Sequence, residues 1–110
     1  MNVNQVSQNG ALVVEIAGRL DGGTSPELSS ALSQILAERP PRLVLDLDAL
    51  EYVSSAGLRV LMIAAKEARS LKIALSLCGL RSNVRELFEI SGLTQVFVIH
   101  PERGSAVGAA

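Results

Sequence analysis

Helical segments that alternate with short strand-like segments constrain the fold of this chain more than any other feature of the sequence. The segment "RLVLDL", residues 42–47, is short and almost wholly apolar, which is typical of a strand covered on both faces. A helical pattern follows at residues 55–70, and "KIALSLC", residues 72–78, is again strand-like. Because a helix between two strands is built most simply as a right-handed crossover, these strands should be parallel.

The first part of the chain predicts a hairpin and a helix. Asn9 and Gly10 form a dipeptide typical of a two-residue β-hairpin turn, and the Val/Ile-rich segment after them is strand-like. A helix is predicted to start near Pro26, which suits a first turn, with Thr24 or Ser25 as its capping residue.

The last part of the chain predicts a third helix that ends at Gly92, followed by a strand in "QVFVI". The predicted order is therefore β-β-α-β-α-β-α-β. We expect an α/β fold, with residues 1–110 forming one domain in which a mixed β-sheet has helical cover. Gly104 and Gly108 disfavour a helix in residues 101–110, so this tail is predicted to be frayed or a short terminal helix.

The helix predicted at residues 55–70 has one apolar and one charged face. Leu58, Leu61, Met62 and Ala65 should face the sheet, and Arg59, Lys66 and Arg69 should face water.

Composition excludes several classes of function. A net charge of -1 and 3% aromatic residues offer neither a basic surface for phosphates nor a stacking platform for bases, so no nucleic-acid partner is expected. Cys78 is the chain's single cysteine, which leaves no disulfide or thiolate metal site. The N-terminal residues lack the pattern of a signal peptide, and no apolar run is long enough to span a membrane, so a cytoplasmic location is expected.

Few residues could support catalysis, and we expect neither an enzyme nor a cofactor. His100 is the single histidine and is interpreted as a surface residue, so a Ser/His/Asp site would lack its base. Asp46 and Asp48 could hold a divalent ion, although hydrogen bonds to nearby backbone groups are the favoured interpretation. The segment "LDGG" lacks the spacing and the lysine of a phosphate-binding loop.

The segment "VSSAGL", residues 53–58, is the candidate site. It lies at a predicted helix N-terminus, where unpaired N–H groups and the helix dipole favour an anion. A cap needs only one hydroxyl, from Ser54 or Ser55, so the other serine has no structural task. Ala56 and Gly57 should leave that serine open to the active site of another protein.

Three segments in order resemble the STAS-domain anti-sigma factor antagonists, which are small proteins of bacterial partner-switching modules. The similar segments are "GRLDGGTSPEL", "LVLDLDALEYVSSAGLRVL" and "LFEISGL", and together they extend over most of the chain. The resemblance implies a protein-binding switch without catalysis of its own.

The resemblance also implies site residues. Ser55 aligns with the family's phosphate acceptor, and Ser54 occupies a position that is often acidic, where it could compete as an acceptor. The residues implied to contact a partner are Asp21, Gly22, Thr24, Ser54, Ser55, Ala56, Gly57 and Arg59. Arg59 lies one helical turn after Ser55, so it could pair with the phosphate or be an ordinary exposed arginine.

The partners implied by the resemblance are two enzymes. The unphosphorylated form would bind an anti-sigma factor that is also a serine kinase of the histidine-kinase-like ATPase class, and would thereby displace the sigma factor. Phosphorylation would abolish this binding, and a PP2C-type serine phosphatase would restore it. A monomer is expected. The alternatives are a constitutive STAS subunit of a transport complex and a small nucleotide hydrolase that uses Asp46 and "LDGG".

Overall fold

The computed structural model describes residues 1–108 and has a six-stranded sheet with helices on both faces. In chain order the elements are β1 (Asn2–Gln8), β2 (Ala11–Leu20), α1 (Ser25–Ala37), β3 (Arg42–Asp46), β4 (Leu50–Val53), α2 (Ser55–Ser70), β5 (Ala74–Cys78), α3 (Ser82–Ile90), a 3-10 turn (Leu93–Gln95), β6 (Val98–His100) and α4 (Arg103–Gly108). The α/β class, the mixed sheet and the predicted order are confirmed. The structure adds β4, and α4 is the short terminal helix that was one of the two alternatives predicted for the tail.

The sheet has the strand order β1-β2-β3-β5-β6, with β4 paired to β2. The β1–β2 pair is antiparallel and every other pair is parallel, as the crossover helices require. Asn9 and Gly10 both have positive φ, as the predicted hairpin turn demands. Strand β2 pairs with β3 through its first half and with β4 through its end, and the register shifts between Gly18 and Arg19.

The main hydrophobic core lies between one face of the sheet and helices α1, α2 and α3. Its fully buried large side chains are Ile16, Leu20, Leu28, Leu32, Leu36, Leu43, Leu45, Leu47, Leu50, Leu61, Leu77 and Phe88. Phe88 of α3 packs against Phe97 with ring centroids 5.9 Å apart, which fixes the end of α3 near the last strand.

A smaller cluster lies on the other face of the sheet under α4. It consists of Ala11, Val13, Val44, Cys78, Ala106 and Val107. The predicted tail of residues 101–110 therefore contains a short helix at Arg103–Gly108, whereas residues 109–110 lie outside the described range.

Helix α2 places its apolar side chains as predicted, with one exception. Leu58 and Leu61 are buried, while Arg59, Lys66 and Arg69 are exposed. Met62 is 42% exposed, so its assignment to the core is wrong. The buried stripe of α2 continues from Leu61 through Ala64 and Ala68, and Met62 lies about 100° further round the helix.

None of the helices within residues 1–108 has both the length and the apolarity needed to cross a membrane.

Candidate functional site

Ser54 is the N-cap of α2. Its backbone is extended, and its hydroxyl oxygen accepts a hydrogen bond from the N–H of Gly57 at 3.3 Å. Its own N–H donates to the carbonyl oxygen of Leu20 at 2.8 Å, which ties the start of α2 to the end of β2. The sequence allowed either Ser54 or Ser55 to cap the helix, and in the structure the capping hydroxyl is that of Ser54.

Ser55 is the first residue of α2, and it is exposed. It lies in the first turn of a helix of 16 residues, where the unpaired N–H groups and the helix dipole favour added negative charge. Ser55 and Arg59 line two adjoining shallow grooves on the surface. One groove continues to Ser25, Pro26 and Ser29 of α1, and the other continues along α2 to Ser91 and Leu93.

Gly57 has a role that differs from the prediction. It is buried, and a Cβ atom there would lie 2.6 Å from Cγ of Leu20 and 2.9 Å from Cγ2 of Val53. The expectation that Gly57 opens the approach to the serine pair is therefore wrong, because Gly57 faces inward and allows α2 to pack closely on β2 and β4. Ala56 is exposed beside Ser55, in the position that the prediction requires.

The loop after β2 lies next to the start of α2 and is organised by Asp21. Its Oδ1 accepts hydrogen bonds from the N–H groups of Gly23 at 3.0 Å and Thr24 at 3.1 Å. The hydrogen bond from Thr24 N–H, assisted by that from Gly23, holds the pKa of the Asp21 carboxyl below its ordinary value. Gly22, between these residues, is exposed.

The hydroxyl of Thr24 serves the same loop. It donates to the carbonyl oxygen of Arg19 at 2.8 Å and accepts the N–H of Asp21 at 2.9 Å. Thr24 occupies the N-cap position of α1, but its side chain makes no capping hydrogen bond to that helix. Of the two predicted capping residues, Thr24 and Ser25, the structure thus has Thr24 at the N-cap position, but the predicted side-chain hydrogen bond to the helix is absent because the loop uses this hydroxyl instead.

Arg19 and Tyr52 form a contact that sequence reasoning missed. They are neighbours in the register of β2 and β4, and the Arg19 guanidinium lies 4.3 Å from the centre of the Tyr52 ring. The contact depends on β4, a four-residue strand that the predicted order of elements did not include. The sequence signal that could have indicated β4 was the pair of β-forming residues Tyr52 and Val53, together with the apolar Leu50.

The outer face of α2 carries exposed apolar side chains between basic ones. Met62 is 42% exposed and Ile63 is 54% exposed. Arg59 and Lys66, one turn before and after them, are exposed as well, and all four residues line the same groove as Ser55. We call Ser55, Arg59, Met62, Ile63 and Lys66 the α2 surface.

The other chemically notable residues lie away from this site. Asp46 accepts the N–H of Asp48 at 3.0 Å and a hydrogen bond from Nε of Arg103 at 2.9 Å, which supports the structural interpretation of this carboxylate. Within residues 1–108, no group of three or more His, Cys, Asp or Glu residues is placed to hold a metal ion. Burial raises the pKa of the Cys78 thiol to about 12, and His100 is half-buried at the end of β6.

Comparison with known proteins places the chain in a family. The model of the STAS domain family matches residues 2–106, so the chain belongs to the STAS domain family, as its sequence motifs predicted.

Relatives within that family are anti-sigma factor antagonists. The proposed anti-sigma factor antagonist BtrV of Bordetella bronchiseptica is 38% identical over 101 residues, which cover 92% of this chain and 87% of BtrV. The anti-sigma-F factor antagonist RsfB of Mycobacterium tuberculosis is 31% identical over 98 residues, which cover 88% of this chain and 79% of RsfB. The crystal structure of an anti-sigma factor antagonist from Mycobacterium paratuberculosis matches with a TM-score of 0.86 at 26% identity, covering 96% of this chain and 90% of that one.

Proposed function

We propose that this protein is an anti-sigma factor antagonist that acts as a phosphorylation-controlled binding switch, with Ser55 as the phosphate acceptor. The observation that carries the proposal is the different placement of the two serines. The hydroxyl of Ser54 accepts the N–H of Gly57 as a helix cap, whereas Ser55 is exposed in the first helical turn. The named relatives, which are anti-sigma factor antagonists, support the same function.

In the proposed cycle, the unphosphorylated protein binds an anti-sigma factor that is also a serine kinase of the histidine-kinase-like ATPase class. The kinase transfers the γ-phosphoryl group of ATP to the Ser55 oxygen, and the hydroxyl proton is released. A PP2C-type phosphatase hydrolyses the phosphoserine with water and restores the serine. The chain is substrate and ligand rather than enzyme, it needs no cofactor of its own, and its use by an ATP-dependent kinase implies a cytoplasmic location.

The charge of the phosphate explains why the switch would act on binding and not on folding. A phosphoserine carries about -1.5 to -2 charges, which the N-terminus of α2 tolerates. The same charge pressed into a protein interface without a paired cation costs about 3–5 kcal/mol. At about 1.4 kcal/mol per tenfold, this penalty lowers affinity by roughly a hundredfold to several thousandfold.

The partner is proposed to contact the residues around Ser55 that the structure exposes. These are Gly22, Ala56 and the α2 surface, and beside them the half-buried Asp21 of the same loop as Gly22. Met62 and Ile63 provide apolar area on the α2 surface, and Arg59 and Lys66 provide positive charge beside it. We propose that the free protein is a monomer.

The experiment that tests this function is phosphorylation in vitro. The purified protein is incubated with ATP and a candidate histidine-kinase-like serine kinase from the same organism, and phosphate is located by mass spectrometry. Wild type and Ser54→Ala should gain one phosphate, and Ser55→Ala should gain none. Calorimetry should then show that the phosphorylated protein binds the kinase at least about a hundredfold more weakly than the unphosphorylated protein.

A different result would favour a constitutive binding module. If a kinase that is active on another substrate adds no phosphate to the wild type, Ser55 is not an acceptor for that kinase. If the protein nevertheless binds a membrane-transport complex with the same affinity in wild type and Ser55→Asp, the proposed switch is wrong.

A further inference from the structure

The second face of the sheet is covered by α4, on the side opposite α1, α2 and α3. Helix α4 places Ala106 and Val107 against Ala11, Val13, Val44 and Cys78 of the sheet, and all of these residues are buried. The proposed phosphorylation site at the start of α2 packs on the other core. Events at α4 can therefore be studied separately from events at Ser55.

Arg103 attaches the start of α4 to the sheet. Its guanidinium forms ion pairs with Asp46 at 2.7 Å and with Glu15, and its Nε donates to Asp46 at 2.9 Å. Glu15 and Asp46 are register partners on the neighbouring parallel strands β2 and β3. Two adjacent carboxylates repel each other, so the single positive charge of Arg103 offsets this repulsion and holds α4 in place.

Arg42 attaches the end of the same helix. From β3, its Nη2 donates to the carbonyl oxygens of Ala106 at 3.2 Å and Val107 at 2.7 Å, and its Nη1 donates to the carbonyl oxygen of Asn9 at 3.1 Å. The last carbonyls of a helix have no partner within the helix, and a cation there also interacts favourably with the dipole. Arg42 and Arg103 thus hold the two ends of α4.

Little else stabilises α4. It has six residues, two of which are glycines, and isolated helices much shorter than about 12 residues are not stable in water. Its buried side chains, Ala106 and Val107, are small. The side chains of Arg103 and Glu15 are 28% and 37% exposed, so water and salt weaken their ion pair.

We propose that α4 is a detachable cover that opens as a unit, held closed by Arg42 and Arg103, while the six-stranded sheet and the other three helices stay folded. Opening uncovers the apolar strip formed by Ala11, Val13, Val44 and Cys78 on the second face of the sheet. Local openings that cost less than global unfolding are a general property of elements with few buried apolar contacts.

Cys78 offers a direct measurement of this opening because it is the chain's single cysteine and is buried under α4. An aromatic disulfide reagent reacts with the Cys78 thiolate to form a mixed disulfide and releases a coloured thiolate. In the closed protein, burial and the nearby Asp46 carboxylate raise the pKa of this thiol to about 12, which keeps it protonated and unreactive. Because Cys78 is also fully buried in the cluster beneath α4, reaction with the reagent requires α4 to move away.

The labelling rate is measured over a series of urea concentrations below the global unfolding transition. Opening of α4 alone exposes little surface, so the rate should be nearly independent of urea until global unfolding begins. A rate that follows the free energy of global unfolding at every urea concentration overturns the proposal.

Variants of the two arginines test what holds the cover. Arg42→Ala should raise the urea-independent rate by roughly ten- to a hundredfold, the factor expected for loss of a charge-assisted hydrogen bond. Arg103→Ala should raise the rate by a similar factor. If that variant unfolds because Asp46 has lost its partner, Arg42→Ala still decides the test. Arg69→Ala, an exposed arginine on α2, is the matched control and should leave the rate unchanged. An Arg42→Ala rate equal to that of the wild type overturns the proposal.

Discussion

Gly57→Ala should destabilise the fold even though alanine is the better helix former. The new methyl carbon would lie 2.6 Å from Cγ and 3.0 Å from Cδ2 of Leu20, and 2.9 Å from Cγ2 of Val53. Such overpacking of a core costs about 1–3 kcal/mol. Leu20 is fully buried and its branch carbon cannot move aside freely, so the upper part of this range, about 2–3 kcal/mol, applies. Alanine returns at most about 1 kcal/mol of helix propensity, so we expect a net loss of about 1–2 kcal/mol in the free energy of unfolding.

The loss is measured by urea and thermal denaturation followed by circular dichroism. For a domain of this size, a loss of 1 kcal/mol lowers the melting temperature by about 4–8 °C. Gly104→Ala is the matched control, because a Cβ on that helical glycine meets nothing closer than 3.8 Å. If Gly57→Ala is as stable as the wild type while Gly104→Ala is neutral or stabilising, the close packing of α2 on Leu20 is not what requires glycine.

The remaining predictions concern the site. Ser54→Ala should lower the free energy of unfolding by about 1 kcal/mol through loss of the α2 cap, whereas Ser55→Ala should change it by less than about 0.5 kcal/mol in the same urea titration. Because the pKa of Asp21 is lowered in the folded state, its contribution to stability is present above its unfolded pKa of about 4 and is lost as pH falls through the folded pKa. The stability difference between wild type and Asp21→Asn should therefore shrink below about pH 4, and a constant difference would show that the loop does not use the charge. Ile63→Asp should weaken kinase binding by at least about tenfold in calorimetry. The control is Val98→Asp, at an exposed position on the other face of the sheet, which should leave binding unchanged. Equal effects of the two substitutions would show that Ile63 is not in the interface.

The elements with strong periodic patterns could be predicted from the sequence. The predicted helix at residues 55–70 agrees with α2, and the apolar run at residues 42–47 contains the central strand β3. These predictions succeed because burial of one helix face, or of both faces of a strand, leaves a direct pattern in the sequence. The family resemblance was equally accessible, because its motifs extend over most of the chain.

Features that depend on tertiary contacts could not be predicted in the same way. Strand β4 has four residues and exists through its pairing with β2, so its own pattern is too short to identify it. Met62 is apolar at a spacing typical of the core, but the width of the buried stripe depends on how α2 sits on the sheet. Arg103 is paired with Glu15 and Asp46, which are 88 and 57 residues away in sequence, and no local pattern encodes such a contact.

The hydrogen bond from Ser54 N–H to Leu20 has a consequence for recognition. This bond to a distant strand, together with the local cap in which the Ser54 hydroxyl accepts the N–H of Gly57, fixes the backbone on both sides of Ser55. An enzyme that binds this segment therefore contacts a preformed backbone, and no binding free energy is lost in ordering a flexible segment. A synthetic peptide copied from residues 50–60 would lack β2, and with it the preformed helix start, so it should be a much poorer substrate than the intact domain.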